Sequence, residues 1–262
     1  MSGLPNNKST WPLRMRRRAI AWFGGVLFLA GLPQVARAAT RRITIGTASS
    51  MGDFIKSLAT KFEFANPGVE VRVTLGASDI VASQAIRSAP MDLLVLADEL
   101  AMSRVVAAGL VQTSSTRVLA RNRLILLTRK KITTLADLGD KSFQRIAIGN
   151  PAVVPAGRYA REALAVAGVW TEIESKIVHG NNVRHALEYM LKGEVDAVVV
   201  YQSDLNVNGV DKLNSFPLAA MASYPVAILT GTREPELAAQ FVAFALSDSS
   251  RAMLRQLRFE LP

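Results

Sequence analysis

The sequence predicts an α/β protein of two lobes, each a mostly parallel sheet flanked by helices, joined by two hinge crossings. Three observations carry that expectation. From residue 43 onward, short β-rich runs alternate with amphipathic helical runs, the pattern of right-handed βαβ units. The runs fall into two groups. Two extended segments, 117–128 and 213–226, separate the groups, so the chain crosses between them twice. The expected first lobe is 43–120 plus 222–262, and the expected second lobe is 121–221.

Each element follows from its periodicity. Residues 43–45 read as a strand, and Met51, Phe54, Ile55, Leu58 and Phe62 then recur on one helical face. Val69, Val71, Val73 and Leu75 alternate as a strand, followed by a helical run at 80–86. Residues 92–96 are nearly continuous apolar, as expected of a parallel strand buried on both faces, and 124–127 read as another strand. The second group repeats the alternation: strand 146–148, helix 156–166, strand 176–178, helix 183–191 and strand 197–200. A last strand at 226–229 precedes two helices, at about 234–246 and 248–256.

Composition bounds the function. Half of the 262 residues are apolar, enough for a sizeable core. The absence of cysteine excludes disulfides, thiolate metal sites, a cysteine nucleophile and a lipid-modified N-terminal cysteine. The formal charge of +10 owes six of its units to Lys8, Arg14, Arg16, Arg17, Arg18 and Arg37, and the remaining +4 is spread among acids. Aromatics are sparse and no basic block stands beside them, so no nucleic-acid partner is expected. The basic stretch 14–18, the apolar run 19–32 and the small residues before Ala38 spell an export signal over 1–38, cleaved after Ala38. The apolar run is about 14 residues, short of the ~20 that span a bilayer. Arg16 and Arg17 leave open a twin-arginine route beside the general one.

Four strand-to-helix junctions carry small neutral residues: Thr47-Ala48-Ser49-Ser50, Gly76-Ala77-Ser78-Asp79, Val154-Pro155-Ala156-Gly157 and Gly180-Asn181-Asn182-Val183. Ligands in open α/β folds bind outside the carboxyl ends of the strands, here in the cleft between lobes. A helix N-terminus there offers unpaired N–H groups and about half a positive charge, so it holds an anion without Lys or Arg. The hydroxyls of Ser50 or Ser78 would add donors. Each junction alone also reads as a cap, since Ser50-x-x-Asp53 spells a capping box and Pro155 suits a first helical position. Tyr201, ending a buried run, presents a hydroxyl at the same edge, although a lone tyrosine there also suits a core edge. On residues alone the reading is a binder of a small anion or polar solute.

Motifs for chemistry are missing. There is no G-x-S-x-G, P-loop or G-x-G-x-x-G, and His179 and His185 without cysteine make a poor zinc site. Asp92 and Asp98 suit structural roles at a strand start and a turn. No enzyme is expected, and no cofactor or directly ligated metal cation.

The run Ile148-Gly149-Asn150-Pro151-Ala152-Val153-Val154-Pro155-Ala156-Gly157-Arg158-Tyr159-Ala160-Arg161-Glu162-Ala163-Leu164 resembles a V-P-A-G-x-Y-A-x-E-A-L signature. Ala89-Pro90-Met91-Asp92-Leu93, Asn182-Val183-Arg184-His185-Ala186-Leu187, Tyr201-Gln202-Ser203-Asp204 and Tyr224-Pro225-Val226-Ala227 support it in order and spacing. Together they are similar to the periplasmic molybdate-binding proteins of ABC transporters, from about residue 43 to the C-terminus. That resemblance implies a periplasmic-binding-protein (Venus-flytrap) fold. It implies a monomer in the periplasm that captures molybdate or tungstate in the cleft and delivers it to an inner-membrane ABC permease. It also implies a donor set of the Ser50 and Ser78 hydroxyls, the Ala156 and Val183 N–H groups and the Tyr201 hydroxyl. Ser49 beside Ser50 leaves two registers for the first serine. The alternatives are a sulfate- or phosphate-type binder and a periplasmic sensory or partner-binding module on the same fold.

Overall fold

A computed structural model describes residues 40–111 and 115–262. The expected export signal at 1–38 lies outside the described residues. Eight strands, β1 (Arg41–Ala48), β2 (Val69–Gly76), β3 (Leu93–Val95), β4 (Arg117–Thr128), β5 (Ile146–Gly149), β6 (Ile177–Gly180), β7 (Ala197–Tyr201) and β8 (Asn214–Ile228), alternate with helices. The helices are α1 (Gly52–Ala65), α2 (Ser78–Ile86), α3 (Glu99–Ala107), α4 (Pro155–Val166), α5 (Trp170–Ile173), α6 (Val183–Leu191), α7 (Pro235–Ala245) and α8 (Asp248–Gln256). Among the described residues no helix is long and apolar enough to cross a membrane.

Two parallel groups stand as expected. β1 pairs in parallel with β2 and β3, and β5 pairs in parallel with β6 and β7. They are not separate sheets, however. β8 pairs antiparallel with β3 through Val226–Ile228 positions and with β4 over most of its length, and β4 pairs antiparallel with β7. The hydrogen-bonded order is therefore continuous, β2-β1-β3-β8-β4-β7-β5-β6. The segments read from sequence as extended connections are the two long strands, and they satisfy their backbone groups by pairing with each other.

Register decides what meets at the strand ends. Ala48 lies opposite Gly76, and Gly149 opposite Gly180, so in each group two strand-to-helix turns stand level. β5 and β7 are buried along their whole length, which is why they read as unbroken apolar runs. In α6, Val183, Ala186, Leu187 and Met190 bury one stripe at i, i+3, i+4 and i+7, and the Asn182 side chain caps the helix by accepting from the His185 N–H at 3.0 Å. Pro155 takes the first position of α4, as its sequence suggests. That helix starts hard against β5: a Cβ at Gly157 would lie 1.9 Å from the Gly149 carbonyl oxygen, so only glycine fits.

Sequence reasoning missed α3. Its cap is clear in the structure, the Asp98 carboxylate accepting from the Leu100 N–H at 2.7 Å. Its stripe is short, with Ala101, Met102 and Val105 buried while Leu100 is 58% exposed, so the periodicity is blurred.

Candidate functional site

All five residues singled out from the sequence, Ser50, Ser78, Ala156, Val183 and Tyr201, line one cavity, together with small neutral neighbours such as Ser49, Ala77 and Ala97. The cavity is small, with room for about one water-sized sphere, and it opens to solvent. No charged side chain is among its walls. A wider cleft that shares Ser49 is lined by Asp53, Asn181, Arg184 and His185.

Neither serine is a cap, which corrects the capping-box reading. A short 3-10 turn, Ser49–Met51, intervenes between β1 and α1, and its cap is Ala48; the cap of α1 is Met51. That extra turn carries Ser50 off the cap position, and its hydroxyl lies 3.0 Å from the Tyr224 hydroxyl. Asp53, the other half of the expected box, instead accepts from Arg184 at 2.9 Å. Ser78 is the first residue of α2, after the cap Ala77, and its Oγ accepts from the Ala97 N–H at 2.9 Å. An N–H can only donate, so the Ser78 proton stays available to something in the cavity.

Ala156 is the second residue of α4 and Val183 the first of α6. N–H groups in a first turn have no partner within their own helix, and the helix dipole adds positive potential there. Tyr201 ends β7, is 1% exposed, and its hydroxyl has no hydrogen-bond partner among the described residues. Burial pushes that phenol well above its ordinary pKa, with the nearby Tyr224 and Tyr159 adding to the effect. It is thus a neutral donor. A buried hydroxyl without a partner costs ~1–3 kcal/mol, a debt that a ligand oxygen would cancel.

Charge surrounds the cavity without entering it. Arg158, two residues after Ala156, donates to Asp79 at 2.6 Å and also to Asp98; Arg104 holds Asp79 as well. Arg184, next to Val183, bonds Asp53, and its Nε lies 2.6 Å from Asp204, close enough for a strong charge contact but not aligned as a hydrogen bond. Burial pushes the Asp204 carboxyl up, against the pull of Arg184 and of the Tyr201 N–H that donates to it at 2.9 Å. Asp92 and Asp98 have structural duties, Asp92 accepting from the Thr44 N–H at 2.7 Å and from the Thr232 hydroxyl at 2.6 Å.

Residues 43–259 match the family of bacterial extracellular solute-binding proteins. The chain belongs to that family. Among related solute-binding proteins, it is 30% identical over 233 residues to the molybdate-binding protein ModA of Escherichia coli, covering 83% of this chain and 88% of that one. It is 28% identical to the putative ABC transporter substrate-binding lipoprotein YvgL of Bacillus subtilis, covering 83% and 85%. The solved periplasmic molybdate-binding protein of Azotobacter vinelandii superposes with a TM-score of 0.74 at 21% identity, covering 84% of this chain and 99% of that one. The sulfate-binding protein SubI of Mycobacterium tuberculosis does so at 0.75 and 16%, covering 84% and 86%, and at such identities the likeness is one of fold. The names of these relatives describe the binding of solutes, for an ABC transporter in the Bacillus subtilis protein.

Sequence reasoning missed three residues that surround this cavity: Tyr224, Arg158 and Arg184. Their signal was present, since each falls inside a motif quoted for the family resemblance, but the bonds that reach the serine turns, to Ser50, Asp79 and Asp53, span 79 residues or more.

Proposed function

We propose that this chain is an exported solute-binding protein that captures a tetrahedral oxyanion, molybdate or tungstate, and passes it to an ABC importer. The supporting observation is the convergence of two serine hydroxyls, two helix starts and an unpartnered tyrosine hydroxyl on one small cavity with no charged wall. Such a donor set suits a dianion that carries no proton at neutral pH. It offers hydrogen bonds and dipoles, and nothing that accepts a proton from the ligand. Ser50, Ser78 and Tyr201 donate through side chains, and Ala156 and Val183 through N–H groups. Selectivity is by size: a donor left unpaired costs ~1–3 kcal/mol, so donors set for a metal–oxygen bond are under-used by the smaller sulfate.

In this reading the lobes are 43–120 plus 222–262 and 121–221, and they close about β4 and β8. The signal 1–38 directs export and is removed after Ala38, and the mature chain acts as a monomer in the periplasm before docking on a membrane permease. Calorimetric titration of residues 39–262 with molybdate, tungstate and sulfate tests the proposal. Strong heats with the first two and weak ones with sulfate are expected. Equal responses to all three would move the protein to the sulfate class, and no response to any would remove the oxyanion reading.

A further inference from the structure

We infer that Tyr224 is a positioning residue of the oxyanion site, donating its hydroxyl proton to Ser50 so that the Ser50 proton is turned toward the ligand. This role rests on the function proposed above. Tyr224 lies on β8, where that strand pairs with Ala120 of β4, and is fully buried. It touches both groups of strands: its hydroxyl is 3.0 Å from Ser50 Oγ, and its ring packs edge-on against Tyr201, centroids 5.9 Å apart. Phe259 holds the ring from another side at 5.5 Å.

Geometry alone allows either hydroxyl to be the donor. The choice follows from what each arrangement leaves for the cavity. If Ser50 donates to Tyr224, Ser50 presents only lone pairs to the ligand, which repel an anion. If Tyr224 donates, the Ser50 proton is free to bond an anionic oxygen, and hydrogen bonds to charged groups are roughly twice as strong as neutral ones. An anion in the cavity therefore selects the second arrangement. Burial raises the Tyr224 pKa, so the phenol keeps the proton that it donates. Asn122 bonds Ser203, donating to its hydroxyl at 2.8 Å and accepting from its N–H at 3.3 Å, and its amide also interacts with the Tyr224 hydroxyl; an amide N–H can only donate there, which leaves the Tyr224 proton for Ser50. Tyr224 thereby does for Ser50 what the Ala97 N–H does for Ser78: each serine accepts from a protein donor and donates to the ligand.

Tyr224→Phe keeps the ring and its packing and removes only the hydroxyl. In the otherwise unaltered protein it should weaken molybdate binding by roughly 3- to 10-fold, the worth of one ordinary hydrogen bond. In a Ser50→Ala background the same change should alter the Kd by less than about twofold, because no proton remains to be oriented. A purely structural role gives a different pattern, an equal loss of affinity in both backgrounds or a lower melting temperature with the Kd unchanged. Either would overturn the assignment. Failure of the functional reading is separately visible: the unsubstituted protein would then bind none of molybdate, tungstate and sulfate, and the positioning role would fall with it.

Discussion

Arg158 donates to Asp79 at 2.6 Å, tying the helix that begins beside Ala156 to the residue next to Ser78. The Arg184–Asp53 bond repeats the relation, tying the helix that begins at Val183 to the turn after Ser50. Each proposed serine donor thus has a backbone donor joined to it by an adjacent ion pair. The cavity stays neutral while its rim is held by charge.

Removing a rim arginine should separate binding from folding by degree. Arg184→Met leaves the fully buried Asp204 without its cation and should cost stability of about 3–5 kcal/mol at most. The sign with pH is fixed by Asp204: burial raises its folded pKa above the ordinary carboxylate value, so its favourable contribution is present at low pH and lost as pH rises through the folded pKa. The melting-temperature loss in Arg184→Met should therefore be larger at pH 8 than at pH 5. A loss independent of pH would show that Arg184 does not serve Asp204.

Ser50→Ala and Ser78→Ala each remove a proposed donor to a charged oxygen and should weaken molybdate binding roughly 10- to 150-fold. Neither caps a helix, but each change leaves a buried partner unpaired, the Tyr224 hydroxyl or the Ala97 N–H, so the free protein should also lose ~1–3 kcal/mol of stability. Ser49→Ala, in the same cavity wall, is the control and should bind nearly as before. If Ser49→Ala weakens binding and Ser50→Ala does not, the donor is one residue earlier.

Tyr201→Phe should move stability and affinity in opposite directions. The hydroxyl is buried and unpartnered, so deleting it removes an unpaid desolvation cost, and the unliganded protein should melt at the same temperature or higher. Molybdate affinity should fall about tenfold or more. A drop in unliganded stability, measured by thermal melting, would mean that the hydroxyl has a protein partner.

Acid sensitivity should trace in part to Asp196. Burial works to raise its pKa, but the Lys130 ammonium at 2.7 Å and the N–H groups of Gln144 and Arg145 at 2.8 and 3.1 Å outweigh it, and the pKa is lowered. Its stabilisation is present above the unfolded value of ~3.9 and is lost as pH falls through the folded one. Asp196→Asn should be less stable at pH 7 and lose less on acidification, read from urea midpoints at pH 7 and pH 3.

The sequence by itself determined the alternation of strands and helices, the buried runs of β3 and β7, and the strand-end positions of Ser50, Ser78, Ala156, Val183 and Tyr201. These are local properties: a period of 2 or 3.6, an unbroken apolar run, a small residue where a strand turns into a helix. Only the tertiary structure decided that β4 and β8 pair and merge both groups into one strand order, that Ser50 faces Tyr224 instead of capping a helix, and that Arg158 and Arg184 hold the rim. Ser50 and Tyr224 stand 174 residues apart, and Arg184 and Asp53 stand 131 apart. A side chain's periodicity names the face it occupies. Its hydrogen-bond partner is fixed only when the strand pairing brings a distant segment alongside, because a bond of about 3 Å is specified by three-dimensional position and not by spacing along the chain.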